Sequence, residues 1–269
     1  MSWNLFLKEM KRNALALILW IVVISILVSF AMSLYPSVIE NQSKVFEMMN
    51  LVPEEALKFI GIQDFRDKLK PLEFYAVNNV IYMMVLGSIY AIVTSSNIFL
   101  CEEYNKTAEY LLSWPLSRTD IFISKMLVLI LFVFILNMTV AFSGLTTMKL
   151  VHDEPVNIRA FLILSVYTLL LNTLFTAIGL MMSILVKRPK PITTFCVGLV
   201  LVLYFIHTIS KITESVAKIG YLSPFSYVDL DTNDTAYGLE IWHLLYFLGI
   251  TLLLTSISFK LYQRKDIYT

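Results

Sequence analysis

Six stretches of this chain are so long and apolar that they leave it almost no choice of fold. They cover residues 15–35, 80–100, 121–147, 161–186, 192–209 and 242–261. The hydrocarbon core of a bilayer is about 30 Å thick and takes about 20 helical residues to cross. In hydrocarbon, backbone polar groups must be paired within a helix or within a closed barrel. A barrel would show strands of about ten residues with alternating polarity, and these runs are continuous. The expected fold is therefore an all-α membrane protein with six transmembrane helices, a single transmembrane domain over residues 1–269. Composition agrees, with 58% of residues hydrophobic and 15% charged, against about half and about a quarter in a soluble domain. No internal repeat, low-complexity segment or interdomain linker divides the chain.

The remaining charges are sorted by segment. One set of span ends carries Lys8, Lys11 and Arg12, then Lys106, Arg118 and Lys125, then Lys187, Arg188 and Lys190, then Lys260, Arg264 and Lys265. The opposite set is longer and more acidic, with Glu40, Glu47, Glu54, Glu55, Asp64, Asp67 and Glu73 in its first loop and Asp229, Asp231, Asp234 and Glu240 in its last. Lys and Arg mark the cytoplasmic side, so both termini are expected in the cytoplasm of a multi-pass protein of the cell membrane. The start of the chain has the look of a signal peptide. Its apolar run exceeds the usual h-region, however, and no small-x-small cleavage site follows, so it is expected to remain as the first span. Before it, Trp3, Phe6, Leu7 and Met10 recur at helical spacing with Lys8, Glu9, Lys11 and Arg12 on the other side. That pattern predicts an amphipathic helix over 1–13 lying in the membrane interface. In the first outer loop, residues 44–62 read as a further helix, from near-helical recurrence of apolar residues around Pro53.

The polar stretch 102–118, between the second and third runs, is the most informative. Nothing breaks a helix from Thr107 to Ser113, and Pro115 then forbids its continuation. Ser117 with Asp120 fits a capping box that opens the third span. The short helix carries Tyr110, Leu111, Leu112 and Trp114, an apolar group that headgroups or a partner protein must cover. Thr107, Glu109, Leu111-Leu112-Ser113, Pro115, Ser117-Arg118 and then Lys125 resemble the first cytoplasmic loop of ABC-2 type transporter permeases, with Lys106 where the family usually has Gly. Tyr221 to Tyr227, containing Ser223-Pro224-Phe225, resembles the stretch those permeases carry between spans five and six, where short helical segments turn back toward the membrane from outside. Phe259 to Ile267 resembles their closing Phe…Arg-Arg-Asp-Ile pattern, with Lys265 for the second Arg.

The missing chemistry also narrows the reading. None of the eight glycines lies in a Walker A spacing, so any ATP and Mg²⁺ would be bound by another chain, and this one is expected to hold no cofactor or metal. No Asp or Glu falls inside the six runs, which weighs against an ion-coupled carrier. Glu102-Glu103 at a helix end invites comparison with membrane-embedded Glu-Glu-x-x-x-Arg proteases. Thr107 replaces the Arg, and His152, His207 and His243 are expected near the opposite face, out of reach of those acids. They read instead as interface-level acids contacting the loop or a partner. His207 is expected to bond to a neighbour. Cys101 and Cys196 read as small apolar residues of the spans. Asn97, Asn137 and Asn172 are amides that need partners within hydrocarbon, either interhelical hydrogen bonds or a translocation path.

The resemblance implies a permease of an ATP-driven exporter, not an enzyme. Its coupling helix would sit in a groove of a cytoplasmic ABC ATPase, two copies per complex, with a second permease copy or a homologous permease completing the path. Glu103, Thr107, Glu109, Leu111, Leu112, Ser113, Trp114, Pro115, Ser117 and Arg118 are then the expected ATPase-coupling residues, and membrane lipid the other partner. Nucleic acid is not expected, since no basic tract or aromatic-basic interleaving supports it. The alternative is a six-span channel or a non-transporting membrane scaffold without an ATPase. Family members export peptides, antibiotics, lipids, polysaccharide or ions, and nothing in the residues selects among these.

Overall fold

The computed structural model describes residues 2–41, 70–104, 117–151, 156–186, 192–212, 214–230 and 237–264. Helix α1 (Trp3–Ser33) leads through Leu34 into the short α2 (Tyr35–Glu40). Helix α3 (Pro71–Tyr75) passes through a π-helical turn, Ala76–Val80, into α4 (Ile81–Tyr104). Then come α5 (Arg118–Val151), α6 (Ile158–Leu185), α7 (Ile192–Ser210), two 3₁₀ segments (Glu214–Leu222 and Pro224–Tyr227) and α8 (Ile241–Arg264). Six helical stretches are long and apolar enough to cross a membrane, one for each of the expected runs. No strand occurs among the described residues.

One expectation is corrected at the start of the chain. Residues 3–13 do not form a separate interfacial helix but the first turns of a continuous 31-residue α1. The reason is local: neither Gly nor Pro interrupts 3–33, and Asn13 donates to the Glu9 carbonyl one turn back at 2.9 Å. The faces also differ from the periodicity reading. Phe6 is buried and Met10 partly so, but Trp3 is 61% exposed, and Glu9, expected on the polar side, is fully buried. The 44–62 helix and the span-end charges Lys187, Arg188 and Lys190 lie outside the described residues.

Hydrogen bonds fix the directions of the helices. Ser2 meets Ser124, and Ser29 meets Ser143 and Thr147 at 3.2 Å each, so α1 and α5 run parallel. Ser88 bonds Asn172 and Ser96 bonds the Gly179 carbonyl, so α4 and α6 are parallel as well. That pair makes the most extensive contact in the bundle. Gly87, Ala91 and Ser95 are spaced by four on α4, and on α6 Asn172 lies against Gly87 and Gly179 against Ser95 and Ile92. A Cβ at Gly179 would stand 2.4 Å from the Ile92 carbonyl oxygen and 2.1 Å from Ser95 Oγ. Glycine is therefore what lets the two backbones come together, as small residues do between membrane helices.

The outward faces are apolar. Leu15, Ile18, Leu19, Val22, Val23 and Ile26 line the exposed side of α1, and Leu245, Leu248, Leu252 and Leu253 that of α8. Such a surface belongs in lipid or against another helix. At the end of the bundle away from the N-terminus, the Ser223-Pro224-Phe225 stretch docks on α7. Ser223 donates to the Leu203 carbonyl at 2.7 Å and accepts from the Phe225 N–H at 3.3 Å. Phe225 is fully buried against Phe175 and Tyr204. His207 meets Ser226 at 2.9 Å, the neighbour bond expected of it.

Candidate functional site

The described residues at the root of the 102–118 stretch form a compact polar cluster. Glu102 lies near the end of α4. Lys125 lies two turns into α5, and Glu9 and Arg12 stand one turn apart on α1. Lys125 is 1% exposed, yet each of its ammonium protons can be accounted for. Nζ is ion-paired to Glu102 Oε2, donates to the Ile98 carbonyl at 2.7 Å, and lies 5.4 Å from the centre of the Phe99 ring. Arg12 spreads its guanidinium over three partners: Glu102 Oε1 at 3.3 Å, Glu9 Oε2, and the Cys101 sulfur at 2.8 Å. Glu9 is fully buried and its other oxygen, Oε1, has no hydrogen-bond partner among the described residues.

Glu9, Cys101 and Glu102 bring three donor atoms within 4.8 Å of one another, which could hold a metal ion. The charges argue for a different reading. Two carboxylates are already answered by one ammonium and one guanidinium, and a divalent cation would have to displace or confront both. The cluster is an ion-paired joint, its buried charges tolerable because each carboxylate has a cation beside it.

Two further contacts fasten the same end of the bundle. Ser124 Oγ accepts from the Ser2 N–H at 3.1 Å and donates to the Ser2 carbonyl at 3.2 Å, pinning the start of α1 to α5. Arg118 donates to the Gln263 carbonyl at 3.0 Å, closing the C-terminal end of α8 against the start of α5. Cations at a helix C-terminus satisfy orphan carbonyls and oppose the dipole. Phe99, Phe122, Phe259 and Tyr262 pack together in tilted and edge-to-face pairs, with ring centres 5.1–5.8 Å apart.

Of the expected coupling residues, Ser117 and Arg118 are described. Ser117 Oγ accepts from the Asp120 N–H at 3.1 Å and donates to the Asp120 carboxylate at 2.6 Å, so the cap that opens the third span is present as read. The side chain of Glu103, the 107–113 helix with Thr107, Glu109, Leu111, Leu112 and Ser113, and then Trp114 and Pro115 lie outside the described residues. Glu102 faces Lys125 and Arg12 inside the bundle. Sequence reasoning missed the roles of Glu9 and Arg12, which were placed on a solvated face. The available signal was an acid, Glu9, set among Lys8, Lys11 and Arg12.

The three amides are split. Asn172 donates to Asn137 Oδ1 at 3.3 Å and accepts from Ser88 at 3.2 Å, and Asn137 donates to the Val133 carbonyl at 2.8 Å. These bonds join α4, α5 and α6 deep in the bundle. The cavity beside Asn137, lined also by Tyr75, Ser165 and Thr168, has room for about one water rather than a substrate. Asn97 is exposed on the outside of α4 and is not brought to the other two.

Comparison with known proteins adds one finding. A family model described as ABC-2 family transporter protein matches residues 3–267, taking in all six spans and the stretch between the second and third. No curated protein matches the chain.

Proposed function

The chain belongs to the ABC-2 transporter family, and from that premise we propose that it is the permease subunit of an ATP-driven exporter, coupled to a separate cytoplasmic ATPase. It is a multi-pass membrane protein and a transport component of an ABC transporter. The finer reading assigns direction, partner and contact. Two ATPase copies engage two permeases, each through the 107–113 helix, and ATP and Mg²⁺ are held by the ATPases alone. The observation that carries this reading is the family match over the whole bundle, together with the loop's place on the end bearing Lys8, Lys11, Arg12, Arg118, Lys125, Lys260 and Arg264. By the positive-inside rule that end faces the cytoplasm, where an ATPase can reach it, with both termini beside it in a prokaryotic cell membrane.

Work flows from the ATPase to the bundle. ATP-driven closure of two ATPases would push the loop helix, and the loop is strung between α4 and α5. Leu111, Leu112 and Trp114 supply apolar docking area, Glu109 and Arg118 supply charge contacts, and Glu103 stands at the loop's entry. Thr107 and Ser113 bound the helix and Pro115 breaks it, while Ser117 caps α5. Arg118 stands at the loop's exit, where it also holds α8. The test is the double substitution Leu111→Asp with Leu112→Asp. It should insert and accumulate like the parent while the ATPase no longer co-purifies. Retention of a stoichiometric ATPase by the doubly charged variant would remove the coupling assignment.

A further inference from the structure

The ion-paired joint at the root of the loop is more elaborate than anchoring a terminus requires. An apolar plug of similar volume would hold α1 against α4 and α5 at least as well, because buried ion pairs seldom stabilise more than packed hydrophobic residues do. What charges add is a defined geometry with a few discrete partners. Here that geometry lies where the loop is attached: Glu102 immediately precedes it, and Lys125 follows its exit by two turns. Arg12 bridges Glu9 of its own helix to Glu102, and Lys125 grips the same Glu102 from the other side. Ser124 adds an uncharged pin to Ser2.

We infer that Glu9, Arg12, Glu102 and Lys125 are positioning residues for the loop, a clamp that makes the first turns of α1 and the two roots of the loop move as one body. This rests on the coupling reading above and extends it. Force delivered at the loop would reach α1 directly at its N-terminal end, as well as α4 and α5, and pass along the α1–α5 seam. The first span would thus be driven from residues 3–13. Glu9 and Lys125 are both buried, so the charges of the clamp have little water to fall back on. Removing one cation leaves a buried acid short of a counter-charge.

The test uses the complex purified through a tag on this chain from its native host and reconstituted in lipid nanodiscs. Hydrogen exchange is followed by mass spectrometry with and without ATP plus vanadate, alongside the ATP hydrolysis rate and the thermal midpoint. In the parent, trapping should change exchange both in the loop and in residues 3–13. In Arg12→Gln, the ATPase should still co-purify at parental stoichiometry and the loop should still respond. The response of residues 3–13 should vanish, with hydrolysis reduced by about fivefold or more, the usual scale of coupling between sites. Arg12→Lys keeps the charge but not the fork that spans two carboxylates, and should restore part of the loss. If Arg12→Gln fails to accumulate, Ser124→Ala makes the same comparison without disturbing any charge, with a smaller loss. A variant whose 3–13 response and hydrolysis match the parent, with the ATPase present, overturns the clamp and leaves the coupling reading standing. A preparation containing no ATPase overturns both. A fall in thermal midpoint with an unchanged 3–13 response would mark the cluster as structural only, and also overturns the clamp.

Discussion

Lys125 and Glu102 face each other inside the bundle, where a charge without a partner is costly. Breaking a buried pair by removing one member typically costs about 3–5 kcal/mol, whereas replacing both members by apolar residues is often close to neutral. Lys125→Met should therefore lower the fraction of the chain that survives heating in detergent far more than the double substitution Lys125→Met with Glu102→Leu. Equal losses in the two variants would mean that the pair is not coupled. Asn172 offers a second residue-scale test. Asn172→Ala removes bonds to Ser88 and Asn137 and should cost about 1–2 kcal/mol, the range for polar contacts between membrane helices, while leaving ATP-linked activity at the parental level. Unchanged stability with lost activity would instead place Asn172 on the translocation path. At this scale the chain was only partly readable. The Ser117–Asp120 cap depends on residues three apart and could be seen directly. The burial of Glu9 goes with Arg12, which also reaches Glu102 some ninety positions away, and helical periodicity contains no information about such a bridge.

The six spans were legible because hydrocarbon imposes length and continuity on each segment independently of its neighbours. How the helices pair was not read, although the signal existed: Gly87, Ala91 and Ser95 recur every four residues, as do Gly179 and Ser183, in otherwise bulky runs. The α4–α6 seam rests on that spacing. Gly179→Ala would press a methyl group against the Ile92 backbone and Ser95. It should reduce the yield of folded protein markedly, as judged by size-exclusion profile, whereas Gly249→Ala, where nothing lies within 4 Å of the new atom, should leave it unchanged. The opposite ranking would remove the close approach as the basis of this pair. The fate of residues 3–13 shows the limit of amphipathicity. Their pattern fits a helix lying in the interface, yet with no breaker before Ser33 the chain has no means of turning, and the stretch continues into the span.

For the molecule as a whole, the sorting of Lys and Arg implies an orientation that the bundle geometry is consistent with, since the start of α1, the root of the loop and the end of α8 meet at one end. A reporter that fluoresces only in the cytoplasm, fused after Thr269, should be bright. The same reporter inserted in the 231–236 stretch should be dark, and the reverse pattern would invert the topology. In the proposed exporter the path would be defined by shape shared between two permeases, and a motif in one chain would not announce the substrate. The account as a whole depends on an ATP-hydrolysing partner. Its most direct test is purification of the tagged chain from its native host in mild detergent, with mass spectrometry of what accompanies it. The account predicts a stoichiometric soluble protein carrying a Walker A loop, lost in the Leu111→Asp, Leu112→Asp variant. Recovery of the chain alone, or only with copies of itself, under conditions that keep other membrane complexes whole would contradict it and favour a channel or a scaffold.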